Sequence, residues 1–165
     1  MPNEQQQLYR NAMAQLAGAV NVVTSRGEGG TCGLTATAVC SVSDSPATVL
    51  VCINRDSAVN AVIRGNGRLC VNVCSADQQE ISCHFAGMTE LTMEQRFELD
   101  AWDQGVLEQP LLRGALANLE GRITDIAEVG SHSVFYVEVD NIRVNDGQDA
   151  LLYFNRAFRT LSANG

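Results

Sequence analysis

The strand-like segments of this chain come in runs rather than in strand–helix–strand alternation, and that order constrains the fold more than any other feature. "AVNVVTS" (19–25), "LTATAVCSV" (34–42), "ATVLVCIN" (47–54), "RLCVNV" (68–73), "ALANLEGRITDIAEV" (115–129), "HSVFYVEVDNIRV" (132–144) and "ALLYFN" (150–155) read as strands. They are β-branched or alternating apolar stretches bounded by turn formers. Parallel strands need a long crossover, usually a helix, between each pair, whereas antiparallel strands need only a turn. The chain therefore reads as mainly β with a few short helices, closing into a mostly antiparallel barrel. Its 165 residues suffice for a single domain, 1–165, with one sizeable core.

The helical signals are few and short. Leu8, Ala12, Leu16 and Ala19, widened by Met13 and Ala17, recur at near-helical spacing and predict an amphipathic opening helix that ends near Gly18. Ser57 can cap a helix over 57–67, with Val59 and Ile63 as an i, i+4 pair and Gly65 as its terminator. Ser75 with Gln78 has capping-box spacing and predicts a helix through Ile81 and Phe85 to Gly87; "TMEQRF" (92–97) repeats the signature. "RGEGGTCG" (26–33) reads as a flexible hairpin-like turn and "SDSP" (43–46) as a tight one.

Charge and cysteine usage narrow the chemistry. A formal net charge of −8 argues against a nucleic-acid partner, because phosphate neutralisation supplies most of that affinity. All eleven basic side chains are Arg, so Schiff-base chemistry and a P-loop lysine are both out of reach. No GxGxxG follows a strand, which disfavours a Rossmann-type dinucleotide site. The six cysteines form no CxxC pair and read as small buried hydrophobes. Cys70 and Cys74, followed by Cys83-His84, could be drawn as a metal site, but four residues along a strand are about 13 Å apart, so no metal is expected. No apolar run reaches the roughly 20 residues a membrane helix needs, and the N-terminus lacks the signal-peptide pattern. A cytoplasmic protein is expected.

The strand at 34–42 is unusual in being lined with small side chains: Thr35, Ala36, Thr37, Ala38, Cys40 and Ser41. Alternation places Leu34, Ala36, Ala38, Cys40 and Val42 on one face and Thr35, Thr37, Val39 and Ser41 on the other. Either another element packs tightly there, or a flat, bulky ligand lies against the strand and is bonded at its polar edge by hydroxyls and backbone amides. "CINRDSAVN" (52–60) ends a strand and opens a helix, whose N-terminus suits a phosphate, with Ser57 and Asn60 as candidate contacts.

"GLTATAVCSVS", the proline turn, "VCIN" with Ser57 and Asn60, "LCVNV", "HFAG" and the "GSH" before a long strand together resemble the short-chain flavin reductases of two-component monooxygenases, from about residue 8 to 159. The resemblance implies an FMN-binding split β-barrel and a homodimer. It also implies reduction of free FMN or FAD by NADH, or by NADPH. Reduced flavin would then diffuse to a separate aromatic-hydroxylating oxygenase of the 4-hydroxyphenylacetate 3-monooxygenase type. By position it implies that Thr35, Ala36, Thr37, Ala38 and Ser41 wall the isoalloxazine, with Cys52, Ile53 and Asn54 along its other edge. Ser57 and Asn60 would take the phosphate, His84 and Phe85 would border the flavin and nicotinamide, and His132 would touch the nicotinamide nucleotide. Two departures stand out: many relatives have Ser where this chain has Thr37 and Ala38, and an acidic residue where it has Ser131.

No side-chain acid or base is required, because hydride transfer needs stacked rings rather than a proton relay. Two rival readings share the barrel. One is an oxidase like pyridoxamine-phosphate oxidase, whose second phosphate calls for Arg and Lys where Lys is absent; the other is a non-enzymatic flavin sensor or carrier.

Overall fold

The computed structural model describes residues 1–165. In chain order the elements are α1 (Glu4–Met13), β1 (Gly18–Ala19), β2 (Asn21–Gly27), β3 (Gly30–Ala36), β4 (Val39–Asp44), β5 (Ala47–Asn54), α2 (Ala58–Asn66) and β6 (Arg68–Val73). A 3-10 turn at Ala76–Gln78 leads into α3 (Gln79–Phe85), then α4 (Met93–Glu98), β7 (Trp102–Gln104) and β8 (Pro110–Leu112). The chain closes with β9 (Ala117–Val129), β10 (His132–Val144), β11 (Ala150–Phe154) and β12 (Ala157–Leu161).

Seven strands form one antiparallel sheet in the order β3-β2-β6-β9-β10-β5-β4. β3 and β4 are its two opposite edges, yet only Thr37 and Ala38 separate them in sequence. A sheet whose edges are joined by two residues must curl until those edges meet. Val39 N–H donates to Thr37 O at 2.8 Å and Cys52 N–H to Ala38 O at 3.0 Å, holding the corner. No ladder joins β3 to β4, so the barrel stays split along that seam.

This corner corrects the continuous strand expected over 34–42. Leu34 and Ala36 face the core before it and Val39 faces the core after it, so the alternation inverts across Thr37-Ala38. Ala38, Cys40 and Val42, expected to share a face with Leu34, are exposed instead. Periodicity cannot detect such a change of parity, because it carries the same alternation straight through a turn of the backbone.

The barrel interior holds Val23, Val51, Ile53, Leu69, Val71, Phe135 and Val137, and α2 closes it with Val59 and Ile63, the expected i, i+4 pair. Burying a side chain such as Phe135 is worth on the order of 2–3 kcal/mol. A second cluster (Val20, Val22, Cys74, Phe85, Leu112, Ala115, Leu151) lies under α3. Cys32, Cys70 and Cys74 are buried as expected, and burial pushes the thiols of Cys32 and Cys74 up to about 12. Cys40 is exposed, because β4 is an edge.

The capping boxes of Ser75–Gln78 and Thr92–Gln95 form as read. Other boundaries differ. α1 stops at Met13 and buries no residue, leaving Leu8, Tyr9 and Leu16 exposed. The tip of the β11–β12 hairpin halts it: Asn155 N–H donates to Ala14 O at 2.7 Å, and Gly18 and Ala19 then pair with β11. α2 ends at Gly67, not Gly65, because residue 67 adopts the left-handed conformation (φ +70°) that glycine tolerates. Only Glu28 and Gly29 form the turn expected over 26–33, since Gly27 already pairs with Gly30. The short hairpin β7–β8 and the final strand β12 carry no strand signal in the sequence.

Candidate functional site

The small residues that raised the question divide into two groups at the corner. Before it, protein covers them. Phe85 of α3 lies so close to Gly33 that a Cβ there would come within 2.8 Å of its ring. The Thr35 hydroxyl donates to Ser82 O of α3, and Ala36 packs on the barrel core. After it, nothing does. Thr37, Ala38, Cys40 and Ser41 are all exposed, and β4 carries no element on its outer face.

Strand register brings three further segments to this open stretch. Cys52 of β5 bonds the corner at Ala38 and stands opposite Val134 of β10; two residues on, Asn54 stands opposite His132. The corner, the end of β5, the start of α2 and the β9–β10 hairpin thus share one rim. Asn54 and His132 are exposed and Cys52 is half-buried, its thiol raised by burial and by the neighbouring Cys40. Ile53 points into the core, so it offers the rim only its backbone. The His132 ring has Nδ1 2.8 Å from Ser131 Oγ.

Ser57 caps α2 by accepting the Val59 N–H at 3.3 Å, and no protein acceptor takes its own hydroxyl proton. That free donor at the start of a nine-residue helix fits an anionic group. Asn60 does not share this role in the structure. It is buried, and its amide donates to Ile53 O, Asn54 O and Ser133 Oγ, at 3.3, 3.3 and 3.1 Å. The Asn60 amide, expected at the phosphate, is engaged by protein: it fastens the strand end to α2, since a buried amide needs internal partners.

Phe85 is likewise interior, edge-on to Phe97 and Trp102 at 5.2 and 5.6 Å. Its ring, expected to border the flavin and nicotinamide, is packed within the second core cluster. His84 faces a separate cleft of about 340 Å³ with Ile81, Leu112 and Arg113, with Nδ1 2.7 Å from Thr89 Oγ1.

A charged cluster behind the rim had no sequence signal beyond the i, i+4 spacing of Asn60 and Arg64. Glu128 Oε1 of β9 accepts from Arg64 at 2.6 Å, and Oε2 accepts from Ser133 Oγ at 2.7 Å and lies 3.4 Å from Arg55 Nε. The Ser133 hydroxyl and then the Arg64 guanidinium hold the Glu128 carboxyl below the ordinary range. Only the β9–β10 pairing reveals that residues so far apart in sequence meet.

The rim combines small side chains, exposed hydroxyls, a helix start and an exposed imidazole, a set that fits a planar ring system carrying an anionic tail. Residues 13–162 match the flavin reductase like domain family. The 4-hydroxyphenylacetate 3-monooxygenase reductase component of Pseudomonas aeruginosa is 56% identical over 156 residues, covering 94% of this chain and 92% of that protein. The FMN reductase (NADH) RutF of Stutzerimonas stutzeri is 45% identical, covering 94% and 88%. Among solved structures, the NADH:FAD oxidoreductase SgcE6 of Streptomyces globisporus, in complex with NAD and FAD fragments, superposes with a TM-score of 0.86 at 28% identity, covering 96% and 94%.

Proposed function

The chain belongs to the flavin reductase-like family, and on that premise we propose that it is an NADH-dependent flavin reductase whose substrate is free FMN or FAD. Bound side by side, the flavin and nicotinamide rings would supply the hydride chemistry between them. The chain's part is to bind and orient. Ala38 and Cys52 leave a shallow wall for a ring, and Thr37 and Ser41 offer hydroxyls to its polar edge. Ser57 and the start of α2 receive the phosphate, and His132 receives the nicotinamide nucleotide. The observation that carries this reading is the uncovered half of the small-residue run, Thr37 to Ser41, beside the ladder that joins Asn54 to His132.

The resemblance to a reductase component supports delivery of the reduced flavin to a separate oxygenase, of the aromatic-hydroxylating, 4-hydroxyphenylacetate 3-monooxygenase type. We propose further that the protein, one domain over 1–165, works as a cytoplasmic homodimer. The uncovered face of α1 supports pairing of two copies, and no helix is long and apolar enough to cross a membrane.

The test is steady-state NADH oxidation by purified protein with excess FMN or FAD, repeated with NADPH. Many turnovers per protein molecule are expected. Tight flavin binding without NADH consumption would overturn the reductase reading in favour of a sensor or carrier.

A further inference from the structure

The β9–β10 hairpin and the β5–α2 corner meet through a network that includes none of the rim's exposed groups. Ser133 is fully buried and points inward, so its neighbour His132 points outward to the rim. The Ser133 hydroxyl donates to Glu128 and accepts from Arg64 and Asn60, both at 3.1 Å. Asn60 in turn holds the carbonyl of Asn54. On the other side of Glu128, Arg55 reaches Gly130 O at 3.2 Å through its side chain and Ser131 O at 2.9 Å through its backbone. Arg64 also lies over the Phe135 ring, 5.6 Å from its centroid, which fixes the guanidinium between core and carboxylate.

Resting on the flavin reductase reading, we propose that Glu128 is a positioning residue of the reaction, setting His132 on the nicotinamide side relative to Asn54 and Ser57 on the flavin side. Both carboxylate oxygens are engaged by protein groups, so Glu128 makes no call on a ligand. Its arginine partners are partly open to solvent, where ion pairing alone adds little stability. What the carboxylate supplies is direction: it joins β9, β10, α2 and the β5–α2 corner at one point. Stacked rings tolerate little displacement, so loosening this point shows first in nicotinamide binding.

The experiment compares Glu128→Ala, Glu128→Gln and His132→Ala, alone and combined, in steady-state assays with NADH and FMN. Glu128→Ala is expected to raise the NADH KM about five- to tenfold with kcat within about twofold. Glu128→Gln keeps the length and one acceptor, and is expected to recover to within about twofold of the wild type. Added to His132→Ala, Glu128→Ala is expected to raise the KM less than about twofold more, since residues acting through one another are not additive. An unchanged NADH KM in Glu128→Ala, or the same factor in both backgrounds, overturns the proposal. So does His132→Ala with an unaltered KM. Should Glu128→Ala not fold, Ser133→Ala reads the same link, with a rise of about threefold expected and an unchanged KM fatal. Absence of NADH oxidation by the wild-type protein would instead remove the reductase reading itself.

Discussion

Inside the barrel wall, Glu120, Gln109, Asn72 and Asn118 are buried, and each finds its partners within the chain. Glu120 accepts from the Leu107 and Gln109 backbone N–H groups at 2.9 and 3.0 Å and from the Asn141 amide at 3.1 Å. Asn72 donates to Val22 O and accepts from the Leu112 N–H and the Asn118 amide. Along the rim, Thr37, Ser41, Asn54 and His132 are just as polar, yet they face solvent. No buried side-chain nitrogen or oxygen in the molecule lacks a partner, so the inner belt is complete without a ligand. Polar groups closed on one another hold the fold, and polar groups left open beside small side chains form a place for something else to bind.

Four substitutions test that division. Glu120→Ala should have the largest effect, because it strands two backbone donors and an amide. Roughly 3–5 kcal/mol of stability should be lost in urea unfolding. Turnover per folded molecule should survive; if activity vanished while stability held, the inner belt would belong to the site. Ala38→Trp should do the reverse, cutting flavin affinity about 100-fold by filling the wall, with little change in melting temperature. Undiminished flavin affinity in fluorescence titration would remove Ala38 from the wall.

Asn60 lies where the two regions touch and sharpens the boundary. Asn60→Ala should cost about 1–3 kcal/mol by removing the amide that ties Ile53 O, Asn54 O and Ser133 Oγ together. FMN and riboflavin should then bind with unchanged relative affinity; a loss specific to FMN would return Asn60 to the phosphate site. Ser57→Asp should have the smallest effect, weakening FMN about tenfold through like-charge repulsion and leaving riboflavin nearly untouched. Equal losses for the two flavins would show that the phosphate lies elsewhere.

Much of this architecture was legible in the residues. The antiparallel runs, the Ser75 and Thr92 capping boxes, the Val59–Ile63 pair and the Ser57 cap all rest on local physics, in which neighbours within a few positions decide the outcome. The failures share a different cause. The corner at Thr37-Ala38 has no residue that sequence pattern marks as a break, so local order continues the strand across it. α1 is shorter than its apolar spacing predicts because its end is met by Asn155, more than 140 positions away. Asn60 and Phe85 have the chemistry of ligand contacts, and only their neighbours in space show that Asn60 bonds the strand end and Phe85 packs among aromatic rings.

By itself the sequence determined the mainly β, antiparallel character of the protein, the small-residue run, the absence of lysine chemistry and the resemblance to flavin reductases, since each depends on residue type and short-range order. Tertiary structure alone decided which half of that run is open, which hydroxyls and amides are already engaged, and that Glu128 joins the hairpin to the helix. The physical reason is that a hydrogen bond or a covering ring comes from whichever strand lies alongside, and strand pairing is a property of the whole chain rather than of any one stretch.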